Sequence, residues 1–131
     1  MAKKYINPDG LIEPRGYTHV VQAGKLVFIA GQTAVNKDGE LVGSGDIAAQ
    51  TAQVFVNLDT AIRSVGGTRE DIVSITMYAV DVANRSFLSG IRQARVDFFG
   101  DKAPPATLVF VSGLAREGLL MEIEATAVID R

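Results

Sequence analysis

Short apolar runs bounded by turn residues predict β-strands along the chain. Two such runs, Val20–Ala23 and residues 26–30, flank Gly24-Lys25, a two-residue connection containing glycine that is typical of a β-hairpin. Residues 26–30 are apolar at every position, which predicts a strand buried on both faces. Further strands are predicted over Ile72–Val80, Ala106–Val111 and residues 119–129, with a short one near Tyr5.

An apolar period of 3.6 residues predicts two helices. In the first, Asp46 is a suitable N-cap, and the stripe that faces the sheet is predicted at Thr51, Phe55, Leu58, Ile62 and Val65. Gly66 ends this helix, and Asn57 is predicted to lie off the stripe. The second helix is predicted from about residue 84 or 86 to Phe99.

The order of the predicted elements, β-β-α-β-α-β-β, indicates an α+β fold with two helices on one face of a mixed sheet. No repeat, linker or low-complexity segment divides the sequence, so residues 1–131 are predicted to form a single domain. The mean hydropathy of +0.19, with 47% hydrophobic residues, indicates more apolar surface than one small core buries. Association of subunits is the expected outlet for that surface.

Charge and the rarer residue types narrow the function classes. Lys and Arg number 13 against 15 Asp and Glu, and the net charge of −2 disfavours general nucleic-acid binding. The absence of cysteine excludes disulfides and thiolate nucleophiles. Because His19 is the only histidine, no metal site is expected. No apolar run has membrane-spanning length and the first residues lack the apolar stretch of a signal peptide, so a cytoplasmic protein with no membrane partner is expected.

Two pairs of residues could carry chemistry, and each has a structural alternative. Glu122 and Glu124 alternate along the last predicted strand, so both carboxylates lie on one face, where they could act as acid and base or simply face solvent. Tyr17 and His19 could transfer a proton or bind an anion, or His19 could be a hydrogen-bonded structural histidine. Arg92 on the second helix is typical of a solvated helix face. These patterns alone do not identify a reaction.

A set of ordered motifs between Gly16 and Val128 resembles the RidA/YjgF family. The set comprises Gly16-Tyr17-Thr18-His19, Phe28-Ile29-Ala30-Gly31-Gln32, Val65-Gly66-Gly67, Pro104-Pro105-Ala106 and Met121-Glu122-Ile123-Glu124-Ala125-Thr126-Ala127-Val128. No single motif is specific, but their order is. The resemblance implies a chorismate-mutase-like α+β fold and a homotrimer whose sheets form a central barrel-like core, with ligand clefts between the subunits.

The resemblance also implies an activity. The best-known members of the family hydrolyse reactive 2-imino or 2-enamino acids to 2-oxo acids and ammonia. An iminium carbon is already a good electrophile, so the site needs a carboxylate anchor, a placed water and a proton acceptor. No cofactor or metal is expected, and the partner is a small molecule held in the inter-subunit clefts.

The family's motifs also imply which residues form the site. Tyr17 matches the pocket tyrosine, Gly31 the residue whose backbone faces the ligand, and Glu122 the carboxylate that holds the attacking water. Tyr17 and Glu122 are therefore the expected catalytic residues. Thr107 stands where the family has the arginine that anchors the substrate carboxylate, and Val109 stands where many members have cysteine. A threonine hydroxyl offers one neutral hydrogen bond and no charge.

The replaced anchor leaves three functions open. Arg92 lies near a helix position that carries asparagine in many members, and we hypothesise that Arg92 or His19 supplies the positive charge that Thr107 lacks. The first function is a Rid-type deaminase with an altered substrate. The second is a trimer that binds a small metabolite without deaminase activity. The third, an endoribonuclease as described for some relatives, is disfavoured by the acidic composition.

Overall fold

The computed structural model describes residues 2–80 and 88–130, which form one six-stranded sheet and two helices. The strands are β1 (Lys3–Ile6), β2 (Val20–Ala23), β3 (Leu26–Thr33), β4 (Ile72–Val80), β5 (Ala106–Val111) and β6 (Met121–Val128). The helices are α1 (Ile47–Arg63) and α2 (Leu88–Phe99), and a 3-10 turn at Arg69–Asp71 precedes β4. The predicted order of elements and the α+β class are confirmed. The predicted start of α2 at residue 84 or 86 lies outside the described residues.

The sheet is mixed, with the strand order β1-β2-β3-β6-β4-β5. Strands β4 and β5 are parallel, and the other neighbouring strands are antiparallel. Strands β2 and β3 form the predicted hairpin, and Gly24, with a φ of +62°, supplies the backbone conformation that its tight turn requires. The last strand in sequence, β6, therefore lies between β3 and β4 in the middle of the sheet.

The core fills the space between the two helices and one face of the sheet. Asp46 caps α1, because its carboxylate accepts a hydrogen bond of 3.0 Å from the backbone N–H of Ala49. The predicted stripe on α1 is buried at Thr51, Phe55, Leu58 and Ile62 and partly buried at Val65. These side chains pack against buried residues of β3, β4 and β6, which include Val27, Ile29, Met77 and Ile123.

Asn57 does not lie off the buried face of α1 as predicted. It is 5% exposed, and its side-chain amide donates hydrogen bonds of 2.9 Å to the carbonyl oxygens of Thr33 and Val35. A buried amide is tolerated where its donors are satisfied by hydrogen bonds, as they are here. These bonds join the end of β3 to α1.

The opposite face of the sheet carries large apolar side chains that the single chain leaves exposed. Leu26, Phe28, Val73 and Val109 are 44%, 48%, 44% and 39% exposed, and we call the surface that they share the open sheet face. The prediction that residues 26–30 are buried on both faces is therefore wrong within one chain, because the helices cover only the other face. No described helix is both long and apolar enough to cross a membrane.

Candidate active site

Glu122 on β6 lies directly against the backbone of Gly31 on β3. The pairing of these strands is irregular between Ile29 and Gln32, and Gly31 lies at this irregularity. A Cβ placed on residue 31 would be 2.8 Å from Glu122 Cδ and 2.9 Å from Cγ, closer than neighbouring atoms approach a real Cβ. The backbone of Gly31 does not have a positive φ, so space rather than conformation requires glycine here.

The surroundings of Glu122 make its carboxyl group a stronger base than an ordinary glutamate. Partial burial raises its pKa first, and the negative charge of Glu124 raises it further. A cavity of about 270 Å³ opens beside the carboxylate, and its other lining residues are Gly31, Tyr78, Val111, Leu114 and Glu124. A small ligand can therefore reach the Glu122 carboxylate from the cavity, while the backbone of Gly31 covers the carboxylate on its other side.

Tyr78 on β4 forms a wall of this cavity. It is paired in register with Glu122, and its hydroxyl donates a hydrogen bond to the carboxylate of Glu124. That bond is the main cause that raises the pKa of Tyr78, followed by burial and by the charges of Glu124 and Glu122. The phenol therefore stays protonated and donates. The sequence reasoning missed Tyr78, since only the pairing of β4 with β6 shows that it faces the two glutamates.

Tyr17 lies at the same end of the β3–β6 pair. The segment before β2 runs beside β3, because the N–H of Ala30 donates a 2.8 Å hydrogen bond to the carbonyl of His19. Burial raises the pKa of Tyr17, and the negative charge of Glu122 raises it further, so the phenol and the carboxylate are within electrostatic reach of each other. The structure thus brings Gly31 and Glu122 together and places Tyr17 near the same end of these strands, although Tyr17 does not line the cavity beside Glu122.

His19 is placed behind Tyr17 and not in the cavity. It is 2% exposed; its Nε2–H donates to the carbonyl of Ile12 at 2.7 Å, and its Nδ1 accepts from the Gln32 amide at 3.1 Å. The ring of Tyr17 contacts it edge to face, with centroids 5.3 Å apart. Because both ring nitrogens are used within the chain, this geometry favours the structural role for His19.

Thr107 and Val109 lie on the open sheet face, on the edge strand β5. Thr107 is paired in register with Thr76, whose other neighbour is Glu124, so Thr107 is about 10 Å from the strand that carries the glutamates. Val109 is paired with Tyr78 in the same way. Of β5, it is Val111 that lines the cavity beside Glu122. Thr107 and Val109 therefore border the site without closing it in one chain.

Arg92 is exposed on α2, in the helical layer. This layer covers the face of the sheet opposite to Glu122, so the structure does not bring Arg92 to the cavity of its own chain. The described residues also contain no group of three or more His, Cys, Asp or Glu side chains that could hold a metal ion.

Comparisons with known proteins identify the family. The family model described as Endoribonuclease L-PSP matches residues 12–129. A RutC family protein of Pyrococcus horikoshii is 33% identical over 127 residues, which are 95% of this chain and 97% of the relative.

Two solved structures share the fold over nearly the whole chain. YyfA from Yersinia pestis, a protein of unknown function of the conserved Rid protein family, has a TM-score of 0.87 and 30% identity, covering 98% of this chain and 100% of that chain. RidA from the Antarctic bacterium Psychrobacter sp. has a TM-score of 0.86 and 26% identity, covering 96% of this chain and 99% of that chain. Sequence and fold agree from end to end, and the chain therefore belongs to the RidA/YjgF family.

Proposed function

We propose that this protein is a Rid-type deaminase that hydrolyses 2-imino and 2-enamino acids to 2-oxo acids and ammonia. The observation that carries the proposal is the environment of Glu122, a partly buried carboxyl group whose pKa is raised and which lies on the backbone of Gly31 at the edge of a cavity. Membership of the Rid family supports the same chemistry.

The reaction requires one base, positioned beside the water that attacks the substrate. A water held by Glu122 attacks the iminium carbon: a C–O bond forms, the π electrons of the C=N bond move to nitrogen, and Glu122 accepts the proton that the water loses. Glu122 then returns this proton to the amino nitrogen of the carbinolamine. The C–N bond breaks, the oxygen lone pair forms the carbonyl, and the hydroxyl proton passes to the departing ammonia. One iminium ion and one water give one 2-oxo acid and one ammonium ion, with no electron transferred.

The neighbouring groups of Glu122 support this role. Because its pKa is raised, the carboxylate takes a proton from water more readily than an ordinary glutamate. Tyr78 holds Glu124 by its hydrogen bond and thereby fixes the second negative charge, one of the two causes of the raised pKa. Tyr17, whose phenol stays protonated, can donate a hydrogen bond to the oxygen that develops on the substrate carbon.

We further propose that the active unit is a homotrimer in the cytoplasm. The open sheet face exposes four large apolar side chains, and contact with other copies of the chain would bury them. Tyr78, Glu122, Thr107 and Val109 lie on this same face, so a neighbouring subunit would close the cavity into a cleft.

A trimer that binds a small metabolite without deaminase activity is the second proposal, and Thr107 favours it because a threonine cannot pair with a substrate carboxylate. Thr107→Arg distinguishes the two. If the cleft otherwise retains its chemistry, deaminase activity rises about 10-fold or more, since a charge-assisted bidentate contact is gained. If neither protein is active but both bind small carboxylates, the binding function stands instead.

The description of the family model as an endoribonuclease motivates one further assay. Incubation of the pure protein with single-stranded RNA tests for cleavage, which the acidic composition disfavours.

The decisive test of the deaminase proposal uses 2-iminopropanoate, generated in situ by oxidation of alanine. The protein is expected to accelerate the decay of the imine and the release of 2-oxopropanoate over buffer. A decay rate equal to that in buffer, over a range of protein concentrations, would refute the proposal.

A further inference from the structure

A second cavity on the open sheet face adjoins the one beside Glu122, and Glu124 lines both of them. Its volume is about 240 Å³, and its other lining residues are Ser74, Thr76, Ala125 and Thr126. We call it the hydroxyl cavity, because three of these residues carry a hydroxyl group. The function proposed above uses none of the three.

The strand register places the four oxygen-bearing side chains of the hydroxyl cavity at the corners of a rectangle. Across β4 and β6, Ser74 is paired with Thr126. The next pair on the same face is Thr76 with Glu124. Paired side chains are about 5 Å apart at Cβ, and residues two apart along a strand are separated by about 7 Å. The centre of the rectangle is therefore about 4 Å from each Cβ, and a hydroxyl oxygen that turns inward comes within about 3 Å of it.

These oxygens are available to a ligand. Ser74 is exposed, and Thr76 and Thr126 are partly buried. Their hydroxyl groups form no hydrogen bond with any other residue in the described part of the chain. Glu124 accepts the hydrogen bond of Tyr78 at Oε1, so Oε2 remains available. The hydroxyl cavity thus offers three neutral oxygens and one that shares a negative charge.

The charge of Glu124 is not opposed by a nearby cation. Neither Lys nor Arg, among residues 2–80 and 88–130, lines the hydroxyl cavity or the cavity beside Glu122. Glu122 adds a second carboxylate two residues away on the same face of β6. A carboxylate with no opposing charge attracts a small cation, and the hydroxyl oxygens can complete the set of acceptors around it.

We propose that the hydroxyl cavity binds an ammonium ion, which donates hydrogen bonds to Glu124 and to the hydroxyl oxygens of Ser74, Thr76 and Thr126. An N–H group of a cation lies about 2.8 Å from a carboxylate oxygen, which matches the space at the centre of the four side chains. The inference rests on the proposed function for the source of the ion. Hydrolysis of the imine releases ammonium at Glu122, and Glu124 lies between Glu122 and Thr126 along β6. The cavity therefore takes up the product beside the point of its release.

The test is an NMR titration of the full chain with ammonium chloride, following the methyl signal of Thr126. Ammonium chloride replaces tetramethylammonium chloride, so the ionic strength stays constant while a cation without N–H donors is exchanged for one with four. The Thr126 signal of wild type is expected to shift and saturate. Potassium chloride, which supplies the same charge without N–H donors, is expected to bind more weakly.

Variants assign the binding to the hydroxyl cavity. Glu124→Gln is expected to bind ammonium about 10- to 100-fold more weakly, because a charge-assisted hydrogen bond is lost. Thr76→Val, which keeps the shape of the side chain and removes its hydroxyl, is expected to bind about 3- to 10-fold more weakly. Thr107→Val is the matched control, since Thr107 is paired with Thr76 on the same face but lines neither cavity. Its affinity for ammonium is expected to equal that of wild type.

The outcomes separate the ammonium site from the proposed function. The site is overturned if ammonium gives no saturable shift, if Glu124→Gln or Thr76→Val binds it as tightly as wild type, or if potassium binds as tightly as ammonium. If imines are hydrolysed in that case, the deaminase still stands. If ammonium binding depends on Glu124 and Thr76 but no imine is hydrolysed, the site stands and the deaminase is wrong.

Discussion

The carboxylate of Glu122 occupies the space that a side chain on residue 31 would need. Gly31 is therefore part of the active site although it contributes no functional group. It allows a charged side chain from the central strand β6 to lie flat on the neighbouring strand, where burial raises the pKa of Glu122.

Gly31→Ala tests this relationship. The added methyl group is expected to displace the carboxylate and to lower the deaminase rate about 100-fold, since a misplacement of about 1 Å has effects of that size. The melting temperature is expected to fall little, because the displaced atoms are the end of a flexible side chain. Gly113→Ala is the control, as nothing lies within 4 Å of its added Cβ. A Gly31→Ala protein with the wild-type rate would show that this contact does not position Glu122.

Glu124→Gln tests the cause of the raised pKa of Glu122. Glu122 must be ionised to accept a proton, so the acid limb of kcat/KM is expected above the pH at which an ordinary glutamate titrates. Removing the charge of Glu124 lowers the pKa of Glu122, and the acid limb moves to lower pH. The acid limb does not move all the way to the pH at which an ordinary glutamate titrates, because burial is the larger of the two causes that raise the pKa of Glu122. Glu70→Gln, which removes a carboxylate at the Arg69–Asp71 turn, is the control, and its pH profile is expected to match that of wild type. A Glu124→Gln profile that also matched wild type would contradict this explanation of the raised pKa of Glu122.

Glu122→Gln is expected to stabilise the fold at pH 7. A carboxyl group whose pKa is raised in the folded state stabilises that state when protonated, and this contribution is lost as the pH rises through the folded pKa. The Glu122→Gln protein has a neutral amide that does not ionise, so it does not lose this stability as the pH rises. Its melting temperature is therefore expected to exceed that of wild type at pH 7. The difference in melting temperature between the two proteins should disappear below pH 4.5, the ordinary pKa of a glutamate. Melting curves at the two pH values check this, and a lower melting temperature of Glu122→Gln at pH 7 would contradict it.

Phe28→Glu tests the burial of the open sheet face between subunits. Phe28 is 48% exposed in one chain, and a charge placed there would be buried in a trimer at a cost of several kcal/mol. Light scattering is expected to show a trimer for wild type and a monomer for Phe28→Glu. Val56→Glu is the control, because Val56 is also a large apolar residue, 56% exposed, but lies on α1 in the helical layer. A trimeric Phe28→Glu protein would place the interface elsewhere.

Features set by local sequence could be predicted. The hairpin at Gly24-Lys25, the stripe along α1 and the shared face of Glu122 and Glu124 all follow from short-range periodicity, and the structure has each of them. The burial of Asn57 could not be predicted, because it depends on two carbonyls at the end of β3 that are far away in sequence.

The strand order decides which residues form the site, and the hydrophobic periodicity of the sequence does not determine that order. Tyr78 and Gly31 flank Glu122 only because β6 inserts between β3 and β4. The sequence pattern alone indicated that Glu122 could carry chemistry but did not identify its neighbours, and the family resemblance pointed to Gly31 but not to Tyr78.

The rate of 2-iminopropanoate hydrolysis by Glu122→Gln tests the central claim most directly. The imine is generated in situ at pH 7, and Glu117→Gln, which neutralises an exposed carboxylate outside the cavity, serves as the control. The account predicts that wild type and Glu117→Gln accelerate the decay equally. Glu122→Gln is predicted to be slower by about 10²- to 10⁴-fold, the range expected for loss of a general base. Hydrolysis by Glu122→Gln at the wild-type rate would contradict the assignment of Glu122 as the base.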